Sequence, residues 1–339
     1  MVTPSRPDLE VVGVFNPGVT RHNGDVVLLL RVAEAPCEKR AGSIAAPIYN
    51  ADSDELEFKW LSLDTEGLDV SDPRSIGIGG NVFLTSISHL RVARSKDGIH
   101  FDIEKTPALS PATSYESFGC EDARITIIDD TWWINYSAVS SRGISTALAS
   151  TKDFKTVERH GIIFPPDNRD VTIFPEKVAG NYFALHRPMP EGVGHAAMWS
   201  ASSPDLIAWG NHKFVADARV GTWDDLKIGG GAVPFRVKSG KHDGWLEVYH
   251  GVTKEPPTYS LGALLLDPND PSVVLARSHE PILRPDTDYE REGFYAAVVF
   301  TCGVLYEEDR VRIYYGAADG VVAVADLSLE EILDGLSER

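Results

Sequence analysis

The feature that constrains this chain most is a repeat. An apolar, aromatic-rich run recurs as GDVVLLLRVAE (24–34), DTWWINYSAVS (130–140), GNYFALHRPMP (180–190), DGWLEVYHGVT (243–253) and DRVRIYYGAAD (309–319). Each opens on a Gly, Asp or Asn turn signal and continues in the β-branched, aromatic and aliphatic residues of a strand. After each comes a second strand-like run that contains a polar turn, as in LRVARSKDGIHF (90–101) and AAMWSASSPDLIAW (196–209). From Asp130 onward successive units start 50, 63 and 66 residues apart, and only the first is longer, through an insertion near residues 35–88. Five units of this size, each with several short strands, predict an all-β five-bladed β-propeller. A two-sheet sandwich does not account for five matched pairs. No low-complexity linker divides the chain, so residues 1–339 read as one propeller domain with a short helix near 328–336.

Charge narrows the partners. The balance of 32 basic against 50 acidic residues gives a net charge of -18. Nucleic acid and anionic membranes both need a positive field, so neither is expected as a partner. There is no apolar run long enough to span a bilayer and no signal-peptide pattern at the start. Cys37, Cys120 and Cys302 are far apart, odd in number and without CxxC spacing, which predicts buried reduced thiols in a cytoplasmic protein. Carboxylates are abundant but not at ligand spacing, so no metal and no cofactor are expected. A homo-oligomer is left open.

The repeats place ionisable groups in register. Read as channel-lining strands, the first runs end on Arg31, Arg187, His250 and Asp319, four of five equivalent positions. Register on this scale predicts a shared pocket rather than solvated strand ends. NRDVTIFPEK (168–177) adds Arg169 and Asp170, and DDLKIGGGAVPF (224–235) sets Lys227 ahead of three glycines. Glycines let backbone approach a ligand, and a lysine beside them reaches an anion. Arg169, Arg187, Lys227 and His250 then form an anion site of four basic groups, which in so acidic a chain suggests phosphate. The Ser-x-Asp turns of the second runs are read as hairpin turns closed by their own side chains.

Read together, FNPG, GCEDARI, DNRDVTIFPEK, ALHRP, WDDLKIGGGAVP, GWLEVYHGV, YSLGALLLD and IYYGAAD resemble glycoside hydrolase family 130, the inverting β-mannoside phosphorylases and β-mannosidases. The resemblance runs from about residue 12 to 327 and implies the same five-bladed propeller. It implies that Asp122, the aspartate of the Glu-Asp-Pro-Arg motif, is the catalytic acid, with Glu121 beside it among the substrate-binding groups. It further implies that phosphate is bound by Arg169, Arg187, Lys227, His250 and Tyr259. Mannose at the cleaved position would be held by Asn16, Arg31 and Asp319. The motif here reads EDAR, with Ala123 in place of proline, which alters loop stiffness more than chemistry.

An inverting hydrolase needs an acid and a second carboxylate to activate water, whereas an inverting phosphorylase needs the acid and cations that orient phosphate. The four filled basic positions favour phosphorolysis, with inorganic phosphate as co-substrate and a β-mannoside oligosaccharide as the other partner. The NPG, GCED and ALHRP spellings resemble members acting on β-1,2-mannobiose or β-1,2-oligomannan. Alternatives are a β-1,4-mannooligosaccharide or β-1,4-mannosyl-N-acetylglucosamine phosphorylase, an inverting β-mannosidase, or a non-catalytic carbohydrate-binding propeller. The acceptor could stack on an aromatic such as Tyr115 or Tyr295, and the tryptophans are read as blade core.

Overall fold

The strand-rich repeats fold into five twisted sheets arranged as the blades of a propeller. The computed structural model describes residues 2–190 and 192–338. Blade I contains Leu9–His22, Asp25–Pro36, Ile87–Ser95 and Asp102–Ile103, and blade II contains Gly119–Ile128, Thr131–Ser140, Gly143–Thr151 and Glu158–Phe164. Blade III contains Asn168–Ile173, Tyr182–Pro188, Met198–Ser203 and Gly210–Ala216. Blade IV contains Lys227–Gly230, His242–Thr253, Thr258–Leu266 and Val274–Ser278, with Phe235–Ser239 paired to its second strand. Blade V is three-stranded, Val299–Glu307, Arg310–Ala317 and Val321–Ser328.

Why the repeated runs are apolar at nearly every position follows from burial on both faces. Along Asp25–Pro36, Val27 and Leu29 face blade II, while Val26, Leu28 and Leu30 face blade V. Successive side chains of a strand point to opposite faces, so a sheet wedged between two others needs both sets apolar. The core is accordingly five wedges, one between each neighbouring pair of blades. The wedge of Val19, Leu28 and Tyr314 joins the last blade to the first. Val14 also donates its N–H to Gly320 O at 3.1 Å there, so the ring closes by packing and single hydrogen bonds rather than by a continuous sheet.

The repeated runs are not the channel strands, as expected from sequence, but the second strand of each blade. The innermost strands are the segments holding FNPG, GCEDAR, NRDV and KIGG, together with Val299–Glu307. Their sequences look irregular because their backbones are. In blades I, II and III the inner strand slips register at a bulge, and Asn16, Asp122 and Asp170 sit there at φ of 48°, 50° and 53°. Asn and Asp tolerate this left-handed conformation best, and a bulge re-aims the side chain it carries.

The insertion between the second and third strands of blade I forms two hairpins, Ser43–Asn50 with Glu55–Ser62 and Ser75–Ile78 with Asn81–Leu84. The Ser-x-Asp turns are closed as expected: Asp97 Oδ1 accepts from the N–H of Ile99 and His100, and Asp205 Oδ1 from Ile207 and Ala208. The C-terminal helix is Leu329–Asp334, capped by Ser328 Oγ, which accepts from Glu331 N–H. Leu336–Glu338 then adds to the outer edge of blade IV. One expectation needs correction. Cys37 is exposed, and only Cys120 and Cys302 are buried. The tryptophans are mostly blade core as expected: Trp245 is fully buried, and Trp132, Trp133, Trp209 and Trp223 are partly buried against the wedges. No described helix is long and apolar enough to cross a membrane.

Candidate active site

The bulged inner strands and the ends of the second strands meet in one cavity of about 480 Å³. All ten residues singled out from sequence line it, namely Asn16, Arg31, Glu121, Asp122, Arg169, Arg187, Lys227, His250, Tyr259 and Asp319. They come from all five blades.

One pole is built around Asp122. Its Oδ1 accepts from Asn16 Nδ2 at 2.9 Å and from Arg31 Nη1 at 3.1 Å. Arg31 also donates from Nη2 to Glu121 Oε1 at 2.7 Å and from Nε to Ser88 Oγ at 3.1 Å, and its guanidinium lies over the Phe15 ring. Burial disfavours charge on Arg31, yet Glu121, Asp122 and Asp319 around it hold its pKa above the ordinary value. Burial pushes the Glu121 and Asp319 carboxyls up, with Arg31 opposing both. Among the described residues, Asp122 Oδ2 has no hydrogen-bond partner.

The other pole is cationic, on blades III and IV. Arg187 Nη2 lies 2.7 Å from Asp170 Oδ2, and Arg187 Nη1 donates to His250 Nε2 at 3.1 Å. That bond needs an unprotonated Nε2, and burial lowers the His250 pKa to about 3, so the ring is neutral at pH 7. The four basic groups read from sequence therefore meet here as three cations, Arg169, Arg187 and Lys227, and one neutral imidazole. Lys227 lies 5.2 Å from the Tyr259 ring centre, and burial followed by repulsion from Arg187 lowers its pKa to about 8. Buried Arg169 Nε and His250 Nδ1 have no hydrogen-bond partner, which marks a place where a ligand would satisfy them.

Two further residues hold the site together. Asp170, beside Arg169 in the chain, is the buried counter-charge of the cationic pole. Burial opposes its ionisation, but Arg187 foremost, with Arg124 and Arg169, pulls its pKa well below the usual carboxylate range. Arg124 holds the loop that carries the acid. It donates to Asp122 O, Gly230 O and Gly231 O, each at 3.0 Å, and so ties the acid's bulge to the glycine strand. The three glycines serve close approach rather than unusual φ. A Cβ on Gly229 would meet Asp170 Oδ2 at 2.6 Å and Arg187 Nη1 at 2.8 Å, and one on Gly231 would meet Val248 O at 2.2 Å. Of the two aromatics considered for an acceptor, Tyr295 lines the cavity and Tyr115 does not.

A propeller that gathers a bulge-mounted carboxylate and three cations, Arg187 buried and Arg169 and Lys227 half-buried, in one channel mouth agrees with the family suggested by the motifs. The chain belongs to glycoside hydrolase family 130, whose model, described as beta-1,4-mannooligosaccharide phosphorylase, matches residues 84–338. It is 48% identical to a beta-1,2-mannobiose phosphorylase of Listeria innocua, over 99% of this chain and 94% of that protein. It is 39% identical to a 1,2-beta-oligomannan phosphorylase of a Thermoanaerobacter species, over 73% of this chain and 80% of that protein. The solved structure of beta-1,2-mannobiose phosphorylase from Listeria innocua, in complex with beta-1,2-mannobiose, superposes with a TM-score of 0.93, covering 98% of this chain and 94% of that chain at 47% identity.

Proposed function

We propose that this protein catalyses inverting phosphorolysis of β-1,2-linked mannobiose or oligomannan, giving α-D-mannose 1-phosphate and a shortened acceptor. The observation that carries the reading is that Arg169, Arg187 and Lys227 face the same cavity as Asp122. Asn16, Arg31 and Asp319 would hold the mannose being transferred. Asp122 supplies, directly or through a sugar hydroxyl, the proton that the glycosidic oxygen takes up as the C1–O bond breaks. Because Oδ1 is occupied by two donors, the proton sits on Oδ2. Phosphate, oriented by Arg169, Arg187 and Lys227 with Tyr259 and neutral His250, forms the new bond to C1 from the opposite face, which inverts the anomeric centre. No cofactor enters.

A hydrolase would need a free carboxylate where phosphate binds. Asp170 is the carboxylate among those cations, and it is engaged by Arg187 and Arg124, which leaves it unsuited to activating water. The family model's description is of a β-1,4 enzyme, but the β-1,2 relative aligns along nearly the whole chain, including the insertion that the model omits. We extend the reading to a cytoplasmic enzyme, in keeping with three unpaired cysteines. The test is incubation of β-1,2- and β-1,4-mannobiose side by side, with and without phosphate. The expected result is α-mannose 1-phosphate from the β-1,2 substrate only when phosphate is present. Free mannose released from the disaccharide at equal rate in phosphate-free buffer would overturn it.

A further inference from the structure

The propeller does not build the whole cavity. Asp72, Arg74, Ser75, Val82 and Leu84 line it from the inserted segment, and all but the last precede the family model's match. In a displacement with attack and departure on opposite faces, the leaving sugar lies away from the cationic wall of blades III and IV. The insertion leaves from blade I and covers that remaining side. It is pinned at both ends. At blade II, Tyr49 N–H donates to Ser117 O at 2.8 Å, and the Phe83 ring lies 6.0 Å from that of Phe118. At blade V, the Arg74 guanidinium sits 3.7 Å from the centre of the Tyr295 ring and 3.7 Å from Asp319 Oδ2. Asp72 holds it in that pose through Nε at 3.0 Å and Nη2 at 2.8 Å.

We infer that Arg74 is a specificity-determining residue for the acceptor sugar, clasping the inserted wall to Tyr295 across the cavity mouth. This rests on the phosphorylase reading. The clasp joins the group expected to hold the transferred mannose, Asp319, to Tyr295, and Arg74, Asp319 and Tyr295 all line the cavity in which a second sugar would lie. The backbone behind Tyr295 is rigid, since its N–H donates to Ala318 O at 3.1 Å and Ala318 N–H donates to Val298 O at 3.0 Å. Loss of the clasp therefore frees the insertion rather than blade V.

The test runs the reaction in reverse, with α-mannose 1-phosphate as donor and free mannose as acceptor. R74A is expected to raise the KM for mannose about 2- to 30-fold, the range of a cation–aromatic stack, while the phosphate KM in phosphorolysis of β-1,2-mannobiose moves by less than about twofold. R74K keeps the charge but loses the planar fork, and is expected to resemble R74A. An unchanged KM for mannose overturns the inference, as does full recovery by lysine. A parallel rise in phosphate KM also overturns it, since Arg74 would then be a fourth cation of the phosphate wall. Failure of the phosphorylase reading is visible separately, as wild-type protein that forms no α-mannose 1-phosphate. R74A must then still raise the KM for mannobiose in hydrolysis.

Discussion

Replacing Asp170 by asparagine should uncover the cost of holding cations ready for phosphate. Asp170 is 6% exposed and sits between Arg187 and Arg124, which are 4% and 1% exposed. An asparagine there would keep the volume and remove the charge, leaving two buried guanidiniums facing each other. Breaking a buried ion pair by neutralising one partner costs about 3–5 kcal/mol, a large share of the 5–15 kcal/mol that ordinarily separates folded from unfolded protein. D170N should therefore unfold at distinctly lower denaturant in phosphate-free buffer at pH 7. Phosphate can return the missing negative charge, and at 100 times its Kd a ligand stabilises by about 2.7 kcal/mol. The variant should recover much of its loss in phosphate, and more than wild type gains. The pH dependence has a definite sign. Because the folded pKa of Asp170 is depressed, its contribution is present above the ordinary aspartate value near about 3.9 and is lost as pH falls through the lower folded value. The gap between D170N and wild type should hold from neutral pH to about 4 and close only in stronger acid. Equal stability of the two proteins in phosphate-free buffer at pH 7 would refute the counter-charge role.

Three further outcomes follow from the same geometry. D122N should fold normally and lose about 10²- to 10⁴-fold or more in turnover, measured as α-mannose 1-phosphate released, since asparagine cannot supply the leaving oxygen's proton. Lys227, with a pKa lowered to about 8, loses its charge as pH rises through that value, so the phosphate KM should climb above pH 8; K227R should move the climb to higher pH, and a profile unchanged by K227R would remove Lys227 from the phosphate site. G229A places a methyl group against Asp170, Arg187 and His250, and should raise the phosphate KM more than that for mannobiose.

Much of the architecture is legible because propeller blades repeat and are buried on both faces. Runs such as VVLLL and the matched polar turns report that directly. The radial order is not legible in the same way. The most apolar runs look like channel strands, but a channel strand faces polar contents and bends at bulges, so in sequence it resembles a strand less than its neighbour does. Asn16, Asp122 and Asp170 carry that signal as Asn and Asp residues interrupting short apolar stretches. Arg74 gives no signal at all, since PRS within a loop-rich insertion has no periodicity to mark it.

The order of residues by itself determined the number of blades, the two-faced apolar strands and the ionisable groups at their ends, because each is a local pattern repeated along the chain. Only the folded ring decided which of those groups act together. It set His250 neutral through burial, gave Arg187 a counter-charge from a different strand, and turned Arg124 toward the glycine strand of another blade. It also brought Arg74, more than two hundred residues from Tyr295, onto that ring. Charge state and partnership depend on distance and dielectric, and both are properties of the closed ring rather than of any segment.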